Sequence, residues 1–531
     1  MAKAAVKAKR TEKARPEAAP IASAHFALAE ALEAAGRGAE AIAIYQEALR
    51  TQPKSRPTRI GLARALMRQG RTIEAFRQAD ALLADSLSDP EAWTIVAEAL
   101  DALGKADLAA NAFERALALA PREAQLRARL GRLYEALDRP FDAAASYNQA
   151  LALPCERIEA RLESHLALSG LFGRANQFVE ARRHAEAALA LEPLSQGAHQ
   201  NLAVIADCEG RPAEAEAHRE AAYRGRPLIV TRARRPRRRV LTLASAARAN
   251  SPDRYLIPPQ RYDRLVWFPA YGADQPPDPC DYDVVFNAIA DPSASAEAAD
   301  AAAFAAGCGR PLLNRPETLA RTAREAAADL FRPIANLVAP PTRRIDSTSS
   351  LDELAADRLW LLRPLGSHGG ERLQRLPMRE LPAALGAGEF YLTPFHDYRS
   401  PDGLYRKYRV VFVDRVAFPY HLAIHDDWLV HYQTSATAAE PKRRAEELRF
   451  LRDPRAALGP QAWAAIEAVG RRLDLDFAGV DFSVLPDGRA LLFEANATMS
   501  VHPEPPDSAL AHKNPFIDRI LEAFWRRLEA A

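Results

Sequence analysis

Cysteine is scarce in this 531-residue chain: Cys155, Cys208, Cys280 and Cys308 are all there are, with no C-x-x-C and no framework spacing. That excludes a disulfide-stapled scaffold and a thiolate zinc site, and leaves reduced, structural thiols of the kind kept in the cytoplasm. Long apolar runs are also missing. No stretch of 18 apolar residues is present and the amino terminus has no apolar signal core, so a soluble, cytoplasmic protein without a membrane span is expected. A dominant charge is absent too, since the formal net charge is +2, which argues against general affinity for nucleic acid. Seven of the 12 histidines lie between His368 and His512, yet none forms an H-E-x-x-H or Cys/His pattern. What is abundant is apolar residue, 48% of the chain, enough to bury several cores.

The amino-terminal half carries a repeat. Ala41, Ala75, Ala109, Ala143, Ala181 and Ala215 recur at intervals of 34 residues, with one interval of 38. Tyr45, Phe113 and Tyr147 stand four after the alanine, further alanines seven after it, and Pro53, Pro121, Pro193 and Pro227 twelve after it. Small residues allow close helix packing and proline ends the second helix of each pair. The pattern resembles six tetratricopeptide repeats over residues 23–228, an α-solenoid whose four extra residues form a loop at Cys155 to Ile158. Such arrays bind peptides or partner proteins; spacing or dimerising the second half is the alternative role.

Charge is concentrated at two places. Lys3, Lys7, Lys9, Arg10, Lys13 and Arg15 give residues 1–22 a basic, alanine-rich composition that predicts a disordered tail. Arg232 to Arg239 gives residues 229–239 the character of a basic, solvated linker. Contact with RNA or an acidic protein is the competing reading of both.

The most informative stretch is Asp476 to Met499, DFAGVDFSVLPDGRALLFEANATM. A two-residue turn at Asp487-Gly488 predicts a β-hairpin with Asp481 opposite Glu494 and Asn496 on the same face. Two carboxylates facing each other across a ladder repel, so a cation between them is expected, and hard oxygen ligands suit magnesium.

This D…E-x-N hairpin resembles the metal-binding hairpin of the ATP-grasp superfamily, whose members hold ATP and magnesium between two α+β lobes. The resemblance implies Asp481, Glu494 and Asn496 as magnesium ligands, with manganese as an alternative ion. Upstream, Trp360-Leu361-Leu362 reads as a strand ending at Arg363 before the loop Gly366, Ser367, His368, Gly369, Gly370, where glycines let the backbone approach phosphate. The family usually presents a lysine where this chain has Arg363. Tyr391, Leu392 and Thr393 resemble the interlobe hinge that contacts adenine through backbone groups. Lys407 and Arg409 project together from one strand, and the similar family strand directs an arginine at the phosphates or the acylphosphate. His421 is a candidate substrate contact.

Residues 240–340 read as a small α/β unit resembling the domain that precedes the ATP-grasp fold in glutathione-synthetase-like proteins. Val240 to Ala244, Asp283 to Phe286 and Pro311 to Leu313 predict buried parallel strands. Ligands favour the carboxyl ends of such strands, which marks Asn287, Asn314 and Arg315 as substrate contacts. The expected fold class is therefore multidomain: an all-α repeat solenoid, an α/β domain, and an α+β ATP-grasp domain over 341–531. The resemblance implies an ATP- and magnesium-dependent ligase that activates a carboxylate as an acylphosphate for attack by an amine or another nucleophile, neither substrate being named by the residues. A catalytically silent ATP-binding adaptor and an ATP-grasp phosphotransferase are the alternatives.

Overall fold

The recurring alanines sit where helices touch: Ala41, Ala75, Ala109, Ala143, Ala181 and Ala215 are all at 0% exposure. The computed structural model describes residues 18–531 apart from 155–156, 234, 247–252, 290–294, 366–369, 371, 387, 433–436 and 506–507. It divides into two units, one ending at Ala215 and one beginning at Glu216.

The first unit is a series of antiparallel helix pairs, Ala18–Ala34 with Gly38–Thr51, Arg56–Arg68 with Thr72–Asp85, Pro90–Ala102 with Ala106–Leu119, Ala124–Ala136 with Pro140–Leu151, and Ile158–Arg174 with Phe178–Leu191, followed by Gln196–Cys208. Large and small residues interlock between pairs. A Cβ on Gly61 would lie 2.8 Å from the Tyr45 ring, and one on Gly131 would lie 2.9 Å from the Tyr147 ring, so the glycines make room for the tyrosines that the repeat places opposite them. Helices Gly38–Thr51, Ala106–Leu119 and Phe178–Leu191 each stop two residues before Pro53, Pro121 and Pro193, as the repeat predicts. Ion pairs join neighbouring repeats, among them Arg56 to Asp89 at 2.6 Å, Arg132 to Glu163 at 3.4 Å and Arg182 to Glu214 at 2.7 Å. Being half-exposed, most contribute about 0–1 kcal/mol each; the apolar contacts carry the stacking. The first helix starts at Ala18, inside the stretch expected to be disordered, while residues 1–17 and the inserted Cys155 and Glu156 lie outside the described residues.

The second unit contains three sheets. In the first, strands β1 (Leu228–Thr231), β2 (Arg239–Leu243), β3 (Asp263–Trp267), β4 (Val284–Asn287) and β5 (Leu312–Leu313) lie in the order β1-β3-β2-β4-β5, parallel except for β1. The segment expected to be a solvated linker is therefore partly a strand, and several of its arginines are anchored. Arg232 pairs with Asp263 at 2.8 Å, Arg239 with Asp283 at 2.6 Å, and Arg238 donates to the Glu529 carbonyl at 2.8 Å. The acidic partners lie far along the chain, beyond the reach of a local reading.

The other sheets use β6 (Leu337–Val338), β7 (Arg343–Ile345), β8 (Leu359–Pro364), β9 (Gln374–Pro377), β10 (Phe390–Pro394), β11 (Tyr405–Val413), β12 (Val416–His425), β13 (Phe477–Val484) and β14 (Ala490–Asn496). Their orders are β7-β10-β8-β9 and β12-β11-β13-β14-β6. Helices Pro441–Arg452 and Pro460–Leu473 bury Phe450, Ile466 and Val469 against Val410, Phe412 and Val480 of the larger sheet. The expected boundary at residue 340 is crossed in both directions. Strand β6 pairs with β14, and the C-terminal helix Asn514–Ala530 packs Ile517, Ile520 and Phe524 in one cluster with Val240, Val284 and Phe286 of the first sheet and Val411 and Phe477 of the largest. Residues 216–531 form one compact unit for that reason.

The hairpin forms, with a different turn. Val484 pairs with Ala490 and Phe482 with Leu492, which makes the loop Pro486-Asp487-Gly488, with Gly488 in the left-handed region at φ 83°. A bulge between Asp481 and Phe482, with Phe493 as the extra residue, then shifts the register by one and restores Asp481 opposite Glu494. A three-residue loop with glycine at its last position is a common hairpin solution.

Candidate functional site

Register across four strands sets the site. His421 on β12 pairs with Arg409 on β11, Arg409 with Asp481 on β13, and Asp481 with Glu494 on β14. Residues directly opposite in a ladder project to the same face, so these four form one row across the sheet. Two strand positions earlier, Lys407 joins the same face.

Within the row Arg409 makes a fork to Asp481, Nε to Oδ1 at 2.6 Å and Nη2 to Oδ2 at 2.8 Å, and Lys407 Nζ reaches Oδ2 at 3.2 Å. Asp481 is 1% exposed. Burial pushes its carboxyl up, but Arg409 and Lys407 more than offset that and hold it well below the usual carboxylate range. Glu494 faces two further cations. Arg324, from the start of helix Arg324–Phe331, places Nη2 at 2.5 Å from Oε2, and Arg363, from β8 of the smaller sheet, places Nη1 at 3.7 Å. Burial again raises the Glu494 carboxyl, and Arg324 foremost among the cations brings it below its ordinary value. Four cations thus surround two carboxylates, a formal excess of two positive charges.

Two polar atoms at this site are buried without a hydrogen-bond partner among the described residues: Arg363 Nη1 and His421 Nδ1. Burial and the Arg324 charge both lower the Arg363 guanidinium. His421 is held neutral, its imidazolium disfavoured by burial and by Arg409, Lys513 and Lys407. Its ring stacks on Tyr432 with centroids 4.1 Å apart. Beside it Lys513, 1% exposed, bonds Glu504 at 2.8 Å and lies 4.4 Å from the centre of the Tyr432 ring.

The donor set suits a hard divalent ion: two carboxylates and the Asn496 amide, whose side chain has no partner among the described residues. Asn496 sits opposite Gly479, on the row's face but two strand positions beyond Glu494. Among the described residues no three His, Cys, Asp or Glu side chains converge as a metal cluster, so a site here would rest on two carboxylates and an amide.

Other expected contacts fare differently. Asn314 is a correction: it is 0% exposed, its Oδ1 accepts from Phe477 N at 2.9 Å, and its Nδ2 donates to the carbonyls of Phe477 and Ala497 at 2.7 and 2.9 Å. With every polar atom of its amide used, it clasps β5 to the ends of β13 and β14 and has nothing left for a substrate. Arg315 lines a cavity of ≈ 380 Å³ with Arg321, Arg415, Asp476 and Arg527, which shares no residue with the row. Asn287, 0% exposed at the end of β4, accepts from Ile289 N at 3.1 Å and keeps Nδ2 without a partner among the described residues. Tyr391 and Leu392 lie in a strand paired on both sides, with β7 and β8. Leu392 is 1% exposed in the core of that sheet. Thr393 pairs with β8 alone and shares a hydrogen bond with Thr342 at 2.9 Å. Gly370 adopts φ 81°, while Gly366, Ser367, His368 and Gly369 lie outside the described residues.

Sequence reasoning missed Arg324, Lys513 and Glu504. Arg324 stands 170 residues from Glu494, and no spacing rule connects them.

The fold and site define a helical-repeat protein joined to an α/β unit with a cluster of cationic side chains. Two family models, each described as tetratricopeptide repeat, match residues 32–99 and residues 1–56 and 97–154. The amino-terminal stretch therefore consists of tetratricopeptide repeats, modules for protein interaction. Over 183 residues the chain is 29% identical to the human protein O-mannosyl-transferase TMTC1, a match covering 33% of this chain and 20% of that protein. Among solved structures, that of Pseudomonas aeruginosa pilF is 15% identical with a TM-score of 0.34, covering 38% of this chain and 90% of its own. A thermophilic tetratricopeptide-repeat protein from Thermus thermophilus is 25% identical with a TM-score of 0.28, covering 37% of this chain and 99% of its own. No helix among the described residues is long and apolar enough to cross a membrane.

Proposed function

We propose that residues 216–531 form an ATP-grasp-type ligase unit that binds ATP with magnesium or manganese, and that the repeats recruit a protein or peptide on which, or beside which, it acts. The observation that carries this reading is the row His421, Arg409, Asp481 and Glu494 together with Lys407, Arg324 and Arg363, whose four cations exceed the two carboxylates by two charges, a cluster suited to a polyphosphate anion. When bound, the magnesium nucleotide would supply a phosphoryl group that turns a substrate carboxylate into an acylphosphate.

The chain's own residues have separable tasks. Arg363 offers a phosphate oxygen a buried guanidinium N–H that has no hydrogen-bond partner among the described residues. Arg409 and Lys407 supply fixed positive potential where charge develops during transfer. Glu494, Asn496 and Asp481 hold the metal side. His421, neutral and buried, can donate to or accept from the acceptor group. We place the protein in the cytoplasm, a reading supported by free Cys208, Cys280 and Cys308.

The test is calorimetric titration of the full chain with Mg-ATP, followed by ADP release and hydroxylamine trapping across carboxylate and peptide pools. A hydroxamate formed only with ATP supports the ligase. A stable phosphorylated product identifies a phosphotransferase instead. The ion pairing of Arg363 and Arg324 with Glu494 favours a second reading, an adaptor that binds ATP without turnover, and nucleotide binding with no ADP from any pool would establish it.

A further inference from the structure

We infer that Arg324 is a placeholder on the metal side of this cleft, so that a divalent ion binds only together with a polyphosphate; the inference rests on the nucleotide reading above. Glu494 and Asp481 are the two anionic groups that the metal would need, and both are already engaged. Arg324 Nη2 holds Glu494 Oε2 at 2.5 Å, and the Arg409 fork with Lys407 holds both oxygens of Asp481. A bare divalent cation entering here would add its charge to a cleft that already carries two more cations than anions, and the carboxylate side chains, 2% and 21% exposed, are too enclosed for water to screen the repulsion fully. The complex of such an ion with a nucleoside triphosphate is itself an anion, and its charge opposes the excess instead of adding to it.

Arg324 is the member of the cluster suited to exchange. Its side chain is 25% exposed and comes from the first residue of a short helix, whereas Arg363 is 13% exposed and fixed in β8. Arg363 keeps Nη1 without a hydrogen-bond partner among the described residues, 3.7 Å from Glu494, so a phosphate oxygen finds one donor waiting. Arg324 then leaves Glu494 for a second phosphate oxygen, and the released Oε2 together with the unpartnered Asn496 amide becomes available to the ion. One arginine thereby couples the two ligands: it blocks the metal when phosphate is absent and binds phosphate when metal is present.

The experiment is calorimetry on the full chain and on Arg324→Met and Arg324→Lys variants, with manganese chloride alone, inorganic tripolyphosphate alone, and Mg-ATP. The wild type is expected to take up tripolyphosphate without metal and to show no manganese uptake alone. Arg324→Met should gain manganese affinity in the absence of phosphate by about tenfold and lose Mg-ATP affinity by a similar factor, with Arg324→Lys restoring most of the block, a coupling of ordinary size. Wild-type protein that binds manganese alone as tightly as Arg324→Met overturns the placeholder while leaving the nucleotide reading intact. A wild type that binds neither tripolyphosphate nor Mg-ATP removes both.

Discussion

Replacing Arg409 with methionine would separate a buried charge from its main partner and leave the rest of the fold untouched. Methionine fills much of the same volume, so packing is largely kept. What changes is Asp481, 1% exposed and left with Lys407 at 3.2 Å as its remaining cation. Removing one member of a buried ion pair costs about 3–5 kcal/mol because the other charge stays desolvated; the surviving lysine places this case near the lower end, about 3 kcal/mol. For a unit of this size that corresponds to a fall in Tm of roughly 4–5 °C. The pH dependence identifies the cause. In the wild type the folded-state carboxyl lies below its unfolded value, so its contribution is present above the unfolded pKa and is lost only as pH falls through the depressed folded one. Without Arg409, burial dominates and the folded carboxyl moves up. Protonation then relieves the variant at mildly acidic pH, and its deficit should shrink between pH ~7 and pH ~5. Thermal melts of wild type, Arg409→Met, Asp481→Asn and the double variant across that range provide the measurement, the double variant recovering most of the loss. A deficit below about 1 kcal/mol, or one that does not vary with pH, would refute the assignment of a buried anionic Asp481 held by Arg409.

Two further outcomes follow from the same contacts. Asn314→Ala should lower stability by about 3–5 kcal/mol, because it orphans Phe477 N and the carbonyls of Phe477 and Ala497; a melt unchanged from wild type would return Asn314 to the substrate contacts. In the repeats, His184 Nδ1 meets His165 Nδ1 at 3.0 Å and its ring stacks on Phe172, and burial, then His165 and Arg183, lower it from 6.5 to about 4. A neutral buried histidine favours the folded state above its unfolded pKa and penalises it below, so the repeat unit should lose stability as pH falls from 6.5 towards 4, and His184→Gln should flatten that slope in a melt followed by far-UV circular dichroism.

Local periodicity made part of this protein legible. The repeat was readable because the same small residue must return each time two helices cross, and all six alanines are at 0% exposure. The projection of Lys407 and Arg409 to one face needed only the alternation of a strand, and both meet Asp481. The hairpin register was legible for a less secure reason. A two-residue turn gives Asp481 opposite Glu494, but the chain makes a three-residue loop, and the bulge at Phe493 restores the pairing. Bulge and loop length compensate, and neither leaves a mark in the apolar pattern. Contacts between distant segments were not legible at all. Asn314 looked like a strand-end ligand because asparagine at such a position serves ligands and turns alike; only the arrival of β13 and β14, 163 and 183 residues on, uses up its amide. Arg232, Arg239 and Arg237 of the linker looked solvated because their partners Asp263, Asp283 and Glu529 lie elsewhere in the chain.

The electrostatics of the hairpin change sign once those distant segments are in place. Taken alone, two facing carboxylates call for a cation between them. In the folded unit each has its own: Asp481 has Arg409 and Lys407, and Glu494 has Arg324 and Arg363. The repulsion that argued for a metal is met by side chains, so the hairpin needs no ion to fold. What remains unbalanced is the positive side, where Arg363 holds a buried N–H with no hydrogen-bond acceptor among the described residues and four cations outnumber two anions. A buried donor without a partner and an excess of like charge both raise the free energy of the empty cleft. One kind of ligand lowers both: an anion with several oxygens. On the nucleotide reading proposed above, phosphate would complete this cluster first, and a metal would join it only in phosphate's company.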